Sequence, residues 1–143
     1  MNVATILKSK GNSVETVRPD WTVKRFVEHL DTCGVGALVV SADGATVDGI
    51  ASERDVIRVI AKRGAAILDR PVSEIMIPDV VTVSRDTAIA DAMATMTDRR
   101  IRHLPVLDDE QLVGIVSIGD LVKYRIEEAE FEARSMREYI TAG

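Results

Sequence analysis

The sequence predicts an α+β protein made of two copies of one β-α-β-β-α unit, packed face to face, with a long helix at the end. Three observations carry this. Sliding the chain on itself by 65–66 residues aligns eleven identical pairs over Val14–Arg58, where composition alone would give about three. The string Gly49-Ile50-Ala51-Ser52-Glu53-Arg54-Asp55 returns as Gly114-Ile115-Val116-Ser117-Ile118-Gly119-Asp120. Each copy is also preceded by the same alternation of short β-prone runs and an amphipathic helix.

Taken in order, each copy opens on a β-prone piece, Val14–Val17 or Val80–Val83. A helix follows, with apolar residues at 3–4 spacing: Val23, Phe26, Val27 and Leu30, then Ile89, Ala92, Met93 and Met96. Asp20 and Asp86 precede these helices and are expected to cap them. An apolar strand comes next, Gly36–Val40 or His103–Leu107. Turns at Asp43-Gly44, a hairpin signal, and at Asp108-Asp109-Glu110 lead to the strand that ends at the serine. The last helix starts at Ser-x-x-Asp.

One such unit is too small to bury its own sheet, so two must stack. The first copy's last helix is expected to stop near Gly64. Pro71–Met76 reads as a short helix with proline in its first turn, ended by Pro78. Thr5-Ile6-Leu7 is its counterpart before the first copy, with Lys8–Gly11 as a loop. The expected divisions are therefore 1–64, a connector 65–71, a second unit 72–125 and a helical extension 126–143. From Asp120 to Ile140 the apolar residues Leu121, Val122, Ile126, Ala129, Ala133, Met136 and Ile140 form one stripe. It packs either on the protein's own core or on a second copy in a homodimer.

Bulk properties narrow the function. A chain of 143 residues with 46% hydrophobic and 29% charged residues is globular and not disordered. A net charge of −5 argues against general nucleic-acid binding. Only 3% of residues are aromatic, so stacking platforms are scarce. No run is long enough to span a bilayer, and a single cysteine, Cys33, excludes an intrachain disulfide; both fit the cytoplasm. His29 and His103 have no second histidine at ligand spacing, so no metal site is expected. Cys33 reads as a small buried hydrophobe. No phosphate-binding glycine loop or nucleophile elbow occurs, and the scattered acids offer no metal cluster for a nucleotide hydrolase. The chain is expected not to be an enzyme.

The whole pattern resembles the CBS domain, named after cystathionine β-synthase, in its tandem form. The match is fullest in the second copy: Ile75-Met76, Val80–Val83, Arg102-His103-Leu104-Pro105-Val106 and Leu112–Asp120. It covers roughly residues 3 to 125 and is most similar to the small stand-alone bacterial pairs. The resemblance implies two clefts between the copies, which typically hold AMP, ADP or ATP, sometimes S-adenosylmethionine or NAD(H), and a homodimeric assembly. It gives the aspartate of the repeated string the two ribose hydroxyls, an arrangement a carboxylate suits. That role falls to Asp55 with Ser52, and to Asp120 with Ser117. Ser-x-x-Asp is also close to a capping box, and the two roles are compatible.

Phosphate needs donors and positive charge. The resemblance points Arg102 and His103 at it, against the alternative of an exposed strand edge, and Arg54 is an added candidate in the first copy. Lys8 and Lys10 are expected to close over the same cleft. Asp55 is expected to share its cleft with Arg102 and His103, and Asp120 to share the other with Gly36 and Ala37. Val35 and Ile101 are candidates to face adenine, with Thr16, Thr82, Trp21 and Thr87 at the rims; Trp21 reads more as a packing anchor than as a base stacker. The expected function is a regulatory sensor of an adenine nucleotide that signals to an unidentified protein by changing shape. The rivals are an NAD(H) or S-adenosylmethionine sensor and a ligand-independent dimerisation scaffold.

Overall fold

A computed structural model describes residues 1–11 and 14–142. Helix α1 (Val3–Lys10) precedes the first unit: β1 (Thr16–Val17), α2 (Val23–Cys33), β2 (Ala37–Val40), β3 (Gly49–Ser52) and α3 (Glu53–Arg63). Two 3₁₀ turns, Ala65–Asp69 and Val72–Glu74, lead to the second unit. This contains β4 (Val83–Ser84), α4 (Ile89–Arg99), β5 (His103–Asp108), β6 (Gln111–Ser117) and α5 (Ile118–Ala142). The unit order β-α-β-β-α is the one expected. Residues Lys8 to Lys10 belong to a helix and not to a loop, because α1 continues to Gly11, whose N–H closes on the Leu7 carbonyl at 3.0 Å.

The two sheets share one topology. β1 runs parallel to β2 and β2 antiparallel to β3, with Ala37 opposite Ser52. β4 runs parallel to β5 and β5 antiparallel to β6, with His103 opposite Ser117. A parallel pair needs a crossover, which α2 and α4 supply. These helices start two residues later than the acids expected to cap them. Thr22 caps α2, its hydroxyl accepting from the Arg25 N–H at 3.2 Å, while Asp20 accepts from Arg18 at 3.1 Å. The N-cap of α4 is Ala88, which supplies no side-chain bond, so Asp86 does not cap that helix either. α3 ends where expected, the Gly64 N–H reaching the Ile60 carbonyl at 2.8 Å with φ +79°.

The tight hairpin lies at Asp109-Glu110, which take φ of 50° and 63° between β5 and β6. Positive φ at both central positions is the type I′ signature that matches the strand twist. Asp43-Gly44 instead lies in the longer loop 41–48. There the Asp43 carboxylate accepts from the N–H groups of Ala45 (2.8 Å) and Thr46 (2.7 Å). These two backbone donors hold Asp43 well below the usual carboxylate range.

The core is cross-built between the two halves. Phe26, Leu38, Val40 and Ala51 of the first unit pack with Ile67, Val72 and Ile75 of the stretch 65–75 that precedes β4. Leu104, Val106, Val116 and Leu121 of the second unit pack with Val3, Ile6 and Leu7 of α1. Each unit thus rests on the segment that precedes the other. This explains the glycine that opens the repeated string. A Cβ on Gly49 would lie 2.6 Å from Met76 Sδ, and one on Gly114 would run into the Leu7 side chain. Gly114→Ala should destabilise the fold by about 1–2 kcal/mol, toward the low end of over-packing because Leu7 can partly turn aside. Denaturant unfolding checks this, and unchanged stability would mean that α1 does not rest on β6.

α5 has 25 residues, about 37 Å at the α-helical rise. Leu121 is fully buried, but Val122, Ile126, Phe131, Met136, Tyr139 and Ile140 are 39–79% exposed. The stripe therefore does not pack on the protein's own core beyond the first turns. Among the described residues no helix is long and apolar enough to cross a membrane.

Candidate functional site

The repeated string is a strand that delivers its serine to a helix N-terminus. Ser52 caps α3: its hydroxyl accepts from the Asp55 N–H at 3.3 Å, and Asp55 Oδ2 accepts from the Ser52 N–H at 2.8 Å. The Ser52 hydroxyl also donates to Asp55 Oδ2 at 2.9 Å. This closed capping box fixes the Asp55 rotamer. Asp55 is only 3% exposed, and its other oxygen accepts from the Arg58 guanidinium at 2.7 Å. The second copy repeats the box, with Ser117 Oγ accepting from the Asp120 N–H at 3.2 Å and Asp120 Oδ2 from the Ser117 N–H at 2.9 Å. Capping is therefore present in both copies. It also preorganises each carboxylate, which a binding role requires.

Asp55 lies in a cleft of about 250 Å³ between the two units. The first unit contributes Ser52, Glu53, Arg54, Asp55 and Arg58. The second contributes Arg100, Ile101, Arg102 and His103, and the chain before β4 adds Ile77, Asp79, Val80 and Val81. The structure thus brings Asp55, Ser52, Arg54, Arg102, His103 and Ile101 together. Sequence reasoning missed Arg58. Its signal was the i,i+3 spacing from Asp55 on a helix. It also missed Arg100 as a cleft residue, which the left-handed α4 terminus (φ 56°) turns back toward the site.

Four guanidinium groups face three carboxylates in this lining. His103 lies beside them, and burial pushes its imidazole below the ordinary value of 6.5, against a partial upward pull from Glu53. Two neutral states compared above 6.5 contribute nothing. Below it the unfolded chain takes the proton first, so stability falls with acidification. We expect the wild-type melting temperature to drop more steeply than that of His103→Gln as pH falls from 6.5. Parallel acid slopes for the two proteins would remove His103 as the titrating group.

Several expected placements are corrected. Gly36 and Ala37, expected opposite Asp120, line the Asp55 cleft. The reason is local register: Ala37 pairs with Ser52, and the Glu53 N–H donates to the Gly36 carbonyl at 2.9 Å. Lys10 does not close over Asp55. Its ammonium lies on Asp120 at 2.8 Å and on the Ile115 carbonyl at 3.0 Å, so the chain itself fills the position in front of Asp120. Burial pushes Asp120 up, but hydrogen bonds from Lys10 and Ser117 outweigh it and leave the carboxyl below its usual range. Lys8 is exposed on α1 and outside the cleft.

Val35 lines a different groove of about 530 Å³ between the end of α2 and the start of α3. Trp21 packs on the first core cluster, with Arg25 over its ring at 3.7 Å and the His29 ring edge-on at 5.4 Å. Thr87 closes a turn, its hydroxyl accepting from the Ser84 N–H at 3.1 Å. Thr16 is paired in β1 against Val39, and neither it nor Thr82 lines the cleft.

Two stacked β-α-β-β-α units, each with its capped Ser-x-x-Asp, frame a basic cleft between them, the layout of a tandem repeat module. The family model of the CBS domain matches residues 9–62 and 72–127, and the chain belongs to that family as a tandem pair. It is 36% identical to the mitochondrial CBS domain-containing protein CBSX3 of Arabidopsis thaliana, over 99% of this chain and 72% of that one. It superposes on a CBS-domain-containing protein of Agrobacterium tumefaciens with a TM-score of 0.84 and 40% identity, covering 87% of this chain and 99% of the other. CBSX2, solved in complex with AMP, shares the fold at a TM-score of 0.74 and 24% identity, over 90% of this chain and 98% of that one.

Proposed function

We propose that the protein is a regulatory sensor that binds one adenine mononucleotide, AMP foremost and ADP or ATP in its place, in the Asp55 cleft. The observation that supports this most is the meeting of a buried, preorganised carboxylate from one unit with phosphate donors from the other. Asp55 takes the ribose hydroxyls and Ser52 holds it. Arg102, His103, Arg54 and Arg100 take phosphate, and Ile101 with Val80 and Val81 receives adenine. Arg58 pairs with Asp55 at 2.7 Å and, being half exposed, is free to turn toward phosphate as ribose takes the carboxylate. A protein of this fold, CBSX2, has been solved with AMP, which agrees with the reading at the level of the fold. A cleft of about 250 Å³ lies just below the usual range of roughly 300–1,000 Å³ for ligand sites and suits a mononucleotide better than NAD(H). Four guanidinium groups are wasted on S-adenosylmethionine, which has no phosphate.

Ligand held across two units favours whichever relative position of the units closes the cleft, and this is how binding becomes a signal to a partner protein. The reading involves no reaction. The units 1–64 and 72–125 act together as the sensor. The extension 126–143 presents the exposed stripe of α5 to a second copy, an arrangement that its apolar residues favour. Ile126→Glu combined with Met136→Glu should convert a dimer to a monomer by light scattering, and a wild-type chain that is monomeric at micromolar concentration would remove this part. The test of the ligand is a thermal-shift panel of AMP, ADP, ATP, NAD, NADH and S-adenosylmethionine. A ligand that binds only the native state must raise its apparent stability. AMP should raise it most, and no shift with any phosphorylated member would end the proposal.

A further inference from the structure

Away from the cleft, three side chains of different chemistry converge on one point. His29 and Cys33 stand one turn apart on α2, and Glu15 reaches them from the chain leading into β1. His29 Nε2 lies 3.2 Å from Glu15 Oε2 and 3.6 Å from Cys33 Sγ, and the three ligand atoms all lie within 4.8 Å of one another. We propose that Glu15, His29 and Cys33 form a binding site for one zinc-class divalent transition-metal ion, with a fourth position open to water.

Three arguments support the assignment. The first is metric. Zinc bonds of about 2.0–2.1 Å to nitrogen and oxygen and about 2.3 Å to sulfur, set at the tetrahedral angle, separate N from O by about 3.3 Å and N from S by about 3.6 Å. The two edges at His29 Nε2 match both values, and the third, from Glu15 to Cys33, is within 4.8 Å. The second is proton accounting. One ring nitrogen has either a proton to donate or a lone pair to accept with. A carboxylate and a thiol are nevertheless both aimed at Nε2. A proton on that nitrogen serves the carboxylate well and the sulfur only weakly, whereas a cation between them binds all three atoms at once.

The third is accessibility and orientation. Glu15 is 63% and His29 25% exposed at the side chain, so an ion can enter. The Trp21 ring packs on the imidazole at 5.4 Å with the two planes near perpendicular and limits its rotation, while Arg25 lies over the indole at 3.7 Å. A thiolate and an imidazole select zinc-class ions over magnesium or calcium. On binding, the thiol proton leaves to solvent and sulfur takes its place on the metal. None of the three residues lines the Asp55 cleft. The ion would tie the lead-in of β1 to α2.

The chain supplies its own probe, because Trp21 is its single tryptophan. Zn²⁺ titrated into the full-length, chelator-treated protein should change Trp21 emission and saturate at one ion per chain. It should also slow the reaction of Cys33 with a thiol reagent by more than about tenfold, while Mg²⁺ at the same concentration does neither. Cys33→Ser and His29→Gln should each weaken Zn²⁺ binding by more than about a hundredfold, beyond the roughly 10- to 100-fold cost of losing an outer-shell partner. Glu15→Gln, at an exposed position that folding does not need, should weaken it measurably and keeps the test open if a helix variant fails to fold. Asp55→Asn should leave Zn²⁺ affinity unchanged, which separates this site from the nucleotide cleft. Zn²⁺ that binds without protecting Cys33, or with equal affinity to wild type and Glu15→Gln, would overturn the assignment.

Discussion

Asp55→Asn should weaken AMP binding by about 1.5–3 kcal/mol, the worth of a charge-assisted hydrogen bond, or roughly 10- to 150-fold in Kd. The amide keeps one oxygen for the Ser52 N–H, so the cap survives. What it loses is the second acceptor, and a ribose that presents two hydroxyl donors then meets an NH₂ group. The cost to folding should be smaller, about 0–1 kcal/mol. Its side-chain partner Arg58 is 52% exposed and can turn to water, and such pairs contribute little. Calorimetry with AMP and thermal unfolding on the same variant separate the two effects. A variant that binds AMP like wild type but melts far lower would make Asp55 a capping residue alone.

Arg102→Ala should lower affinity for AMP by about 1.5 kcal/mol, roughly tenfold, and leave adenosine within about twofold. The figure is at the low end because Arg102 is exposed and Arg54, Arg58 and Arg100 line the same cleft. The comparison matters more than the size. Phosphate is the only group that AMP has and adenosine lacks, so the difference between the two losses isolates the phosphate contact. Equal losses for both ligands would place Arg102 on the nucleoside and require the phosphate donors to be reassigned.

Much of the site was legible because it is local. The capping boxes of Ser52 with Asp55 and of Ser117 with Asp120 span four residues each, and a strand meeting a helix can close them without help from the rest of the chain. The same holds for the stop of α3 at Gly64. The repeat itself told that two such strings must face one another, since neither half can bury its sheet alone.

Other local features were there to be read and were missed. The position of Gly36 and Ala37 beside Asp55 follows from the β2–β3 register, which the positions of the two strands already suggested. The i,i+3 pair of Asp55 and Arg58 is of the same kind. Asp20 and Asp86 were misread by two residues, because a capping acid and an acid just upstream look alike until the helix start is known.

What the sequence determined by itself is the duplicated α+β architecture and the chemistry of each Ser-x-x-Asp, both set by short-range hydrogen bonds and by hydrophobic period. Only the tertiary structure decided which distant groups meet them. Lys10 reaches Asp120 across 110 residues, α1 packs on the second unit instead of the first, Val35 turns to an outer groove, and Glu15 joins His29 and Cys33. None of these has a local signature. Each depends on how two nearly equivalent units dock, and that is settled by summed burial over the whole interface, where a glycine at 114 or a leucine at 7 counts for more than any motif.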